Sequence, residues 1–352
     1  MMVYKNAVVN GVKTDFTVKD GRFDYIGKCD ADGIDLCGKR VYSGLVDIHS
    51  HGCMGHDTMD ASGFAEMSLY QAKNGVTSWY PTTMTMDKER LLKVSNCDVS
   101  DVPGAQILGW HFEGPYISEK YRGAQNAKYI RNADAEEFSE YKNVKLVTVA
   151  PETDGCLGFI KKCGAVVCIG HTDADYDTAV KAFDCGAKCL THVFNAMPPL
   201  HHRRPGVIGA AIEKDAYVQV ICDGYHIHKS VIIALYRIFG SERMILISDS
   251  MRATGMPDGV YEFGGQQITV EEGAAKTPDG KIAGSTSDLL KCVKTAIGFG
   301  IPADDAFKMA SATPAKLMGI KKGEIKSGYD ADFIVTDDDF CLHQVVIGGR
   351  II

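Results

Sequence analysis

No apolar run in this 352-residue chain approaches the ~18 residues that would cross a bilayer, and the opening Met-Met-Val-Tyr-Lys-Asn lacks an apolar stretch of the secretory kind. Basic charge is not in excess either: 38 Lys and Arg against 45 Asp and Glu leave a formal charge of −7. That argues against nucleic acid as the main partner, because phosphate backbones recruit basic surfaces. A small anionic ligand stays compatible, since a few local Arg and His side chains hold one phosphate. No Cys-x-x-Cys pair occurs among the twelve cysteines, and Cys168, Cys189 and Cys222 lie inside apolar runs, where a thiol behaves as a small hydrophobe. The pattern disfavours a disulfide framework and a zinc ribbon, and predicts free thiols in a reduced, cytoplasmic protein with no membrane partner. Internal repeats and low-complexity tracts are also missing. What is present is an ordinary globular composition, 45% hydrophobic and 24% charged, enough for a sizeable core. The length suits about two domains, with a barrel of roughly 250 residues counting as one.

Both ends read as short strands. Residues 5–9, 13–18, 22–26 and 39–42 form one set, with hairpin-type turns at Asn10-Gly11 and Asp20-Gly21. Residues 323–325, 331–336 and 345–352 form another, broken at Gly328 and Gly348-Gly349. The expectation is one small β-sandwich domain assembled from residues 1–44 plus 320–352. Between them, β-branched apolar runs alternate with helix-like stretches, the pattern of a parallel sheet closed by helices. Eight runs stand out, at 44–49, 78–82, 106–111, 144–149, 166–169, 189–192, 217–222 and 244–248. Helical stretches fall at 61–74, 87–95, 135–141, 176–184 and 230–239, then at 288–299 and 302–312 after the last run. Gly75, Gly186 and Gly240 follow helix ends, as C-caps do. The predicted fold is α/β, a TIM-type (β/α)8 barrel over residues 45–319.

The polar residues carry the functional signal. Most runs end on their C-terminal side in a group able to bind metal or move protons: His49-Ser50-His51, Glu113-Gly114-Pro115, Gly170-His171, Thr191-His192, Asp223-Gly224-Tyr225-His226 and Ser248-Asp249-Ser250. Barrels of this type place the active site at the C-terminal face of their strands. Taken singly, a histidine after an apolar run is more often a hydrogen-bonded structural residue, and Asp249 could be a helix cap. His-x-His is stronger, because period 2 along a strand puts both rings on one side. The joint occurrence at one end of separate strands is what points to a metal site. Imidazole and carboxylate suit Zn²⁺, Fe²⁺ or Mn²⁺, whereas Mg²⁺ or Ca²⁺ want an all-oxygen set. Glu113, His171 and His192 make three ligands with a position left open for water. His49, His51 and Asp249 could complete a second ion, with Glu113 bridging.

These residues resemble the amidohydrolase superfamily, in Val46-Asp47-Ile48-His49-Ser50-His51-Gly52, His171, His192 and Asp249. Within it they are similar to the N-acetylglucosamine-6-phosphate deacetylases, through His111-Phe112-Glu113-Gly114-Pro115-Tyr116, Gly170-His171-Thr172-Asp173, the run Thr191 to Pro198, Asp223-Gly224-Tyr225-His226 and Ile247-Ser248-Asp249. The resemblance covers the whole chain in order. It implies deacetylation of a phosphorylated amino sugar with one or two divalent ions. Glu113, His171 and His192 would be the principal ligands, joined by His49 and His51, and Asp249 would be the catalytic acid and base. Substrate binding would fall to Ala124, Gln125, Asn195, Ala196, Arg203, Asp223, His226 and Ile282-Ala283-Gly284. The arginine matching Arg203 would reach the phosphate of the neighbouring subunit's substrate, which implies a homodimer. Gln125 departs from the pattern, standing where some members carry a histidine that helps polarise the acetyl carbonyl; a glutamine donates a hydrogen bond but carries no charge. Ser43 replaces the proline usual before the first barrel strand. Two other readings compete. One is another amidohydrolase, acting on a cyclic amide, an N-acyl amino acid or a different N-acyl amino sugar; many such enzymes use a carboxylated lysine at the end of the fourth strand, and Val149-Ala150-Pro151-Glu152 offers none. A non-catalytic scaffold on this fold would be expected to have lost ligands, and here all are present.

Overall fold

The computed structural model describes all of residues 1–352. Its centre is a (β/α)8 barrel whose strands are β1 Leu45–Ser50, β2 Val76–Thr83, β3 Trp110–Glu113, β4 Val144–Val149, β5 Val166–Ile169, β6 Cys189–Leu190, β7 Tyr217–Ile221 and β8 Met244–Ile247. Each pairs in parallel with the next. The last gap, between β8 and β1, closes just beyond the strands: the His51 N–H donates to the Ser250 carbonyl at 2.8 Å and the Asp249 N–H to the His49 carbonyl at 2.9 Å. The strands read as near-continuous apolar runs because both their faces are covered. Val46, Ile48, Leu146, Cys168, Cys189, Ile245 and Ile247 fill the lower interior. Leu45, Val147, Ile169, Leu190, Val218 and Leu246 face the surrounding helices. Burying one such side chain contributes about 1.5–3 kcal/mol.

The helices begin where aspartates cap them. Asp87, Asp175 and Asp288 accept from the N–H of Arg90, Thr178 and Lys291 at 2.8–3.0 Å, satisfying donors the first turn leaves open. Several sequence expectations need correction. The run at 106–111 is two pieces, Gln106–Ile107 and β3, because the chain steps at Gly109. There φ is +147°, and a Cβ would come within 2.7 Å of the Asn143 carbonyl. The helix expected over 302–312 is two, Ala303–Met309 and Ala312–Met318, since the Val46 N–H takes the Ala310 carbonyl at 2.8 Å. Residues 323–325 form no strand; Gly323 turns there at φ +76°, against the Ser311 carbonyl. Helices Cys156–Ile160 and Gly206–Glu213, and a three-stranded sheet of Gly259–Phe263, Gln266–Glu271 and Ala274–Lys276, carry no counterpart in the sequence reading.

The two chain ends join one sheet. Phe333–Thr336 pairs antiparallel with Arg40–Ser43, which runs parallel beside Met2–Val9, followed by Val12–Lys19 and Arg22–Ile26. Two strands separate Phe16 from Phe333, yet their rings meet at 5.2 Å, so the sheet curls around its own core. Buried Lys322 ties it to the barrel, donating to Asp332 at 2.6 Å and to Gln106 at 2.7 Å. All twelve cysteines are free thiols, and no helix is long and apolar enough to cross a membrane.

Candidate metal centre and active site

The rim departs from regular strand geometry, and each departure aims a functional side chain. In β1, Asp47 lies opposite Trp79 but Ser50 lies opposite Pro81, so β1 carries one extra residue. Such a bulge switches which alternate residues face inward. Below it Val46 and Ile48 fill the interior; above it His49 and His51 do. The Asp47 carboxylate holds the bulge, accepting from the His49 N–H at 3.2 Å and the Ser248 hydroxyl at 2.5 Å. His171, His192 and Asp249, just past β5, β6 and β8, sit in the left-handed region at φ +47°, +26° and +46°. Side-chain-bearing residues rarely adopt it, and each such residue stores strain of about 1–3 kcal/mol. Glu113 closes β3. The following Gly114 is at φ +81°, and a Cβ there would lie 2.2 Å from the Thr85 hydroxyl.

These elements bring five predicted ligands and Asp249 together. Glu113 Oε1 lies 2.9 Å from His192 Nε2, 3.2 Å from His171 Nε2 and 3.3 Å from His49 Nε2. Glu113 Oε2 lies 3.3 Å from His51 Nε2. Asp249 Oδ1 stands 3.4 Å from His49 Nε2 and 3.3 Å from His51 Nε2. Two ligand groups result, His49–His51–Glu113 and Glu113–His171–His192, each with its donor atoms within 4.8 Å of one another.

Outer hydrogen bonds reveal which ring nitrogens carry protons. His171 Nδ1 is 2.9 Å from the Tyr121 carbonyl and His51 Nδ1 is 3.2 Å from the Thr82 carbonyl. A carbonyl only accepts, so both Nδ1 atoms donate. His49 Nδ1 donates likewise to Gln219 Oε1 at 3.0 Å. In the neutral rings the Nε2 lone pairs therefore point inward, at each other and at two carboxylates. Such an arrangement repels unless a cation lies among them, and its mixed nitrogen and oxygen donors suit a divalent transition metal. The proton equilibria report the same field. A proton competes with a cation for the same place: burial opposes the charged form of His51, but Asp249 and Glu113 override it and drive the ring up to about 10. Burial likewise opposes ionised Glu113, yet His171 and His49 hold its carboxyl well below the usual range. Asp249, also buried, is pulled down by His49 and His51 and is ionised at neutral pH. His111 is the ordinary histidine of the group: burial keeps it neutral, between the hydroxyls of Thr82 at 3.2 Å and Thr148 at 2.8 Å.

A cavity of about 510 Å³ opens onto the cluster. Of the sequence-predicted substrate residues, Ala124, Gln125, Asn195, Ala196, His226, Ile282, Ala283 and Gly284 line it. Asp223 does not reach the cavity wall. It holds His226, accepting from its Nδ1 at 2.7 Å. Burial alone would push His226 down, but this bond raises it, and Asp223 falls to about 2. Arg203 lies elsewhere in this chain, bordering a separate cleft with Asp173, Tyr176 and Arg204. Sequence reasoning missed the cavity's own cations, Lys120, Arg122 and Lys281. Lys120 and Lys281 are paired with Asp173 and Asp279; Arg122 has no acidic partner. Phe263 was missed too; its ring meets His51 edge-on at 5.2 Å. The signal was available: Gly264-Gly265 between two alternating runs is a hairpin pattern.

Residues 40–352 match the model of the amidohydrolase family. The chain belongs to that family. This amidohydrolase is 39% identical over 346 residues to an N-acetylglucosamine-6-phosphate deacetylase of Vibrio furnissii, spanning 93% of this chain and 86% of the relative. An N-acetylgalactosamine-6-phosphate deacetylase of Escherichia coli O157:H7 is 33% identical over 324 residues, spanning 87% and 86%. Among solved structures, N-acetyl-D-glucosamine-6-phosphate deacetylase of Mycobacterium smegmatis superposes with a TM-score of 0.93 at 31% identity, covering 100% of both chains.

Proposed function

We propose that this amidohydrolase removes the acetyl group of N-acetylglucosamine 6-phosphate, giving glucosamine 6-phosphate and acetate. The observation that carries the reading is the meeting of Glu113, His49, His51, His171 and His192 with Asp249 at one cavity, in a chain so similar to deacetylases along its length. Glu113, His171 and His192 would hold the principal ion, and His49 and His51, with Glu113 shared, a second. Zn²⁺, Fe²⁺ and Mn²⁺ all suit this donor set. A bound divalent ion supplies Lewis acidity and makes water a nucleophile near neutral pH. Ionised Asp249 takes the proton of the attacking water and returns it to the departing amine, so one carboxylate serves both halves of the hydrolysis. His226, kept cationic by Asp223, and Asn195 and Ala196 bind the sugar phosphate. Arg203, which borders a separate cleft, serves the substrate of a second subunit in a homodimer. Residues 45–319 form the catalytic barrel and residues 1–44 with 320–352 its supporting domain, in a cytoplasmic enzyme.

Acetate release from N-acetylglucosamine 6-phosphate, run with and without chelator alongside elemental analysis, tests the reading. Chelator-sensitive release with a divalent metal in the protein is expected, and no release from any metal-loaded sample would refute it. The Escherichia coli O157:H7 relative motivates one variant reading, the galactosamine epimer. The two sugars differ at one stereocentre, and comparing kcat/KM for both decides between them.

A further inference from the structure

Gln125 is 2% exposed in the cavity wall, and its amide is fully oriented by its neighbours. The Thr85 N–H, which only donates, lies 2.6 Å from Gln125 Oε1. That contact fixes which end of the amide is oxygen. Its Nε2 then faces Glu113 Oε2 at 2.5 Å, with Met84 Sδ at 3.8 Å as the second acceptor. An amide nitrogen has two hydrogens: the carboxylate takes one, and the other lies toward the thioether, a weak acceptor.

We infer that Gln125 is a positioning residue for the shared carboxylate of Glu113, and not a group that touches the acetyl carbonyl. Glu113 must divide its oxygens, Oε1 toward His171 and His192, Oε2 toward His51. Rotation of the carboxylate about its last bond would spoil both arrangements together. A hydrogen bond to an anion is among the stronger ones, and this one grips the Oε2 side. The backbone of Thr85 anchors Gln125 in turn, so the grip is transmitted from the end of β2. Losing a partner that orients a metal ligand lowers metal affinity by about 10–100-fold.

The inference rests on the metal-dependent reading of the cavity, and its test is read without substrate, so a failure of deacetylation leaves it decidable. Zn²⁺ and Mn²⁺ affinities of the purified protein are measured by competition with a chromophoric chelator. In Gln125→Leu they are expected to fall about 10–100-fold. Acetate release at saturating metal is expected to return to within a few-fold of the parent. Unchanged metal affinity overturns the inference, as does a large kcat deficit persisting at saturating metal, which would assign the amide to the substrate. Gln125→Asn draws the amide back by one methylene and should show the same loss. Parent-like affinity in that variant overturns the inference even if the leucine protein does not fold.

Discussion

Below the bulge in β1, the barrel interior is filled by Val46, Ile48, Leu146, Cys168, Cys189, Ile245 and Ile247, with no more than trace exposure, and β4 with β5 and β7 with β8 pair there without a register shift. Above it, the same strands end in His49, His51, His171, His192 and Asp249, held by a bulge and by left-handed backbone. The lower half is apolar and unstrained, while the rim crowds carboxylates against imidazoles. The rim's conformation persists because the lower half over-determines it, the usual relation between a strained site and its scaffold. Stability should therefore reside below Asp47 and activity above it.

Chelation should break the comparison most sharply. Metal removal is expected to take acetate release to background while circular dichroism keeps the barrel signature; loss of the fold would mean that the ion, and not the apolar interior, holds the rim in place. Asp249→Asn comes next, with kcat expected to drop about 10²–10⁴-fold at unchanged metal content, checked by steady-state kinetics and elemental analysis. Near-parental kcat would remove Asp249 from the proton path. In the lower half, Leu146→Ala should lower stability by about 2–5 kcal/mol in denaturant titration, with kcat nearly unchanged where the variant is folded. A selective fall in kcat there would show the two halves to be coupled. Arg203→Ala should raise KM about tenfold for the phosphorylated sugar and little for N-acetylglucosamine, since a charge-assisted contact to phosphate is worth at least 1.4 kcal/mol, roughly tenfold.

The smallest effect concerns the Asp223–His226 pair. His226 is raised in the folded protein, so its stabilisation is present at low pH and lost as pH rises through its folded value. Asp223→Asn leaves burial to neutralise the ring. KM for the phosphorylated sugar should rise a few-fold at neutral pH, where Asp223 keeps the parent ring charged and burial leaves the variant ring neutral, and return toward the parent as pH falls through the variant ring's lowered value. An unchanged KM across the range would place His226 outside phosphate binding.

Much of the barrel was legible because run length, side-chain type and Gly or Asp punctuation are local properties. The eight strand positions and the polar residues at their ends could be read one by one. What escaped was non-local. The split at Gly109 comes from Asn143 and Lys145, more than thirty residues away. The break at Ser311 comes from β1. Arg203 carries the same charge in any reading, but only its placement on a separate cleft separates it from this chain's cavity.

By itself the sequence determined that imidazoles and carboxyls would end several parallel strands, since strand period and burial follow directly from residue order. Only the tertiary structure decided that the backbone turns left-handed to aim His171, His192 and Asp249, that Arg203 borders a separate cleft, and that Gln125 serves a ligand. Hydrogen-bond direction and backbone angle at those places are imposed by partners distant in the chain, which no local pattern encodes.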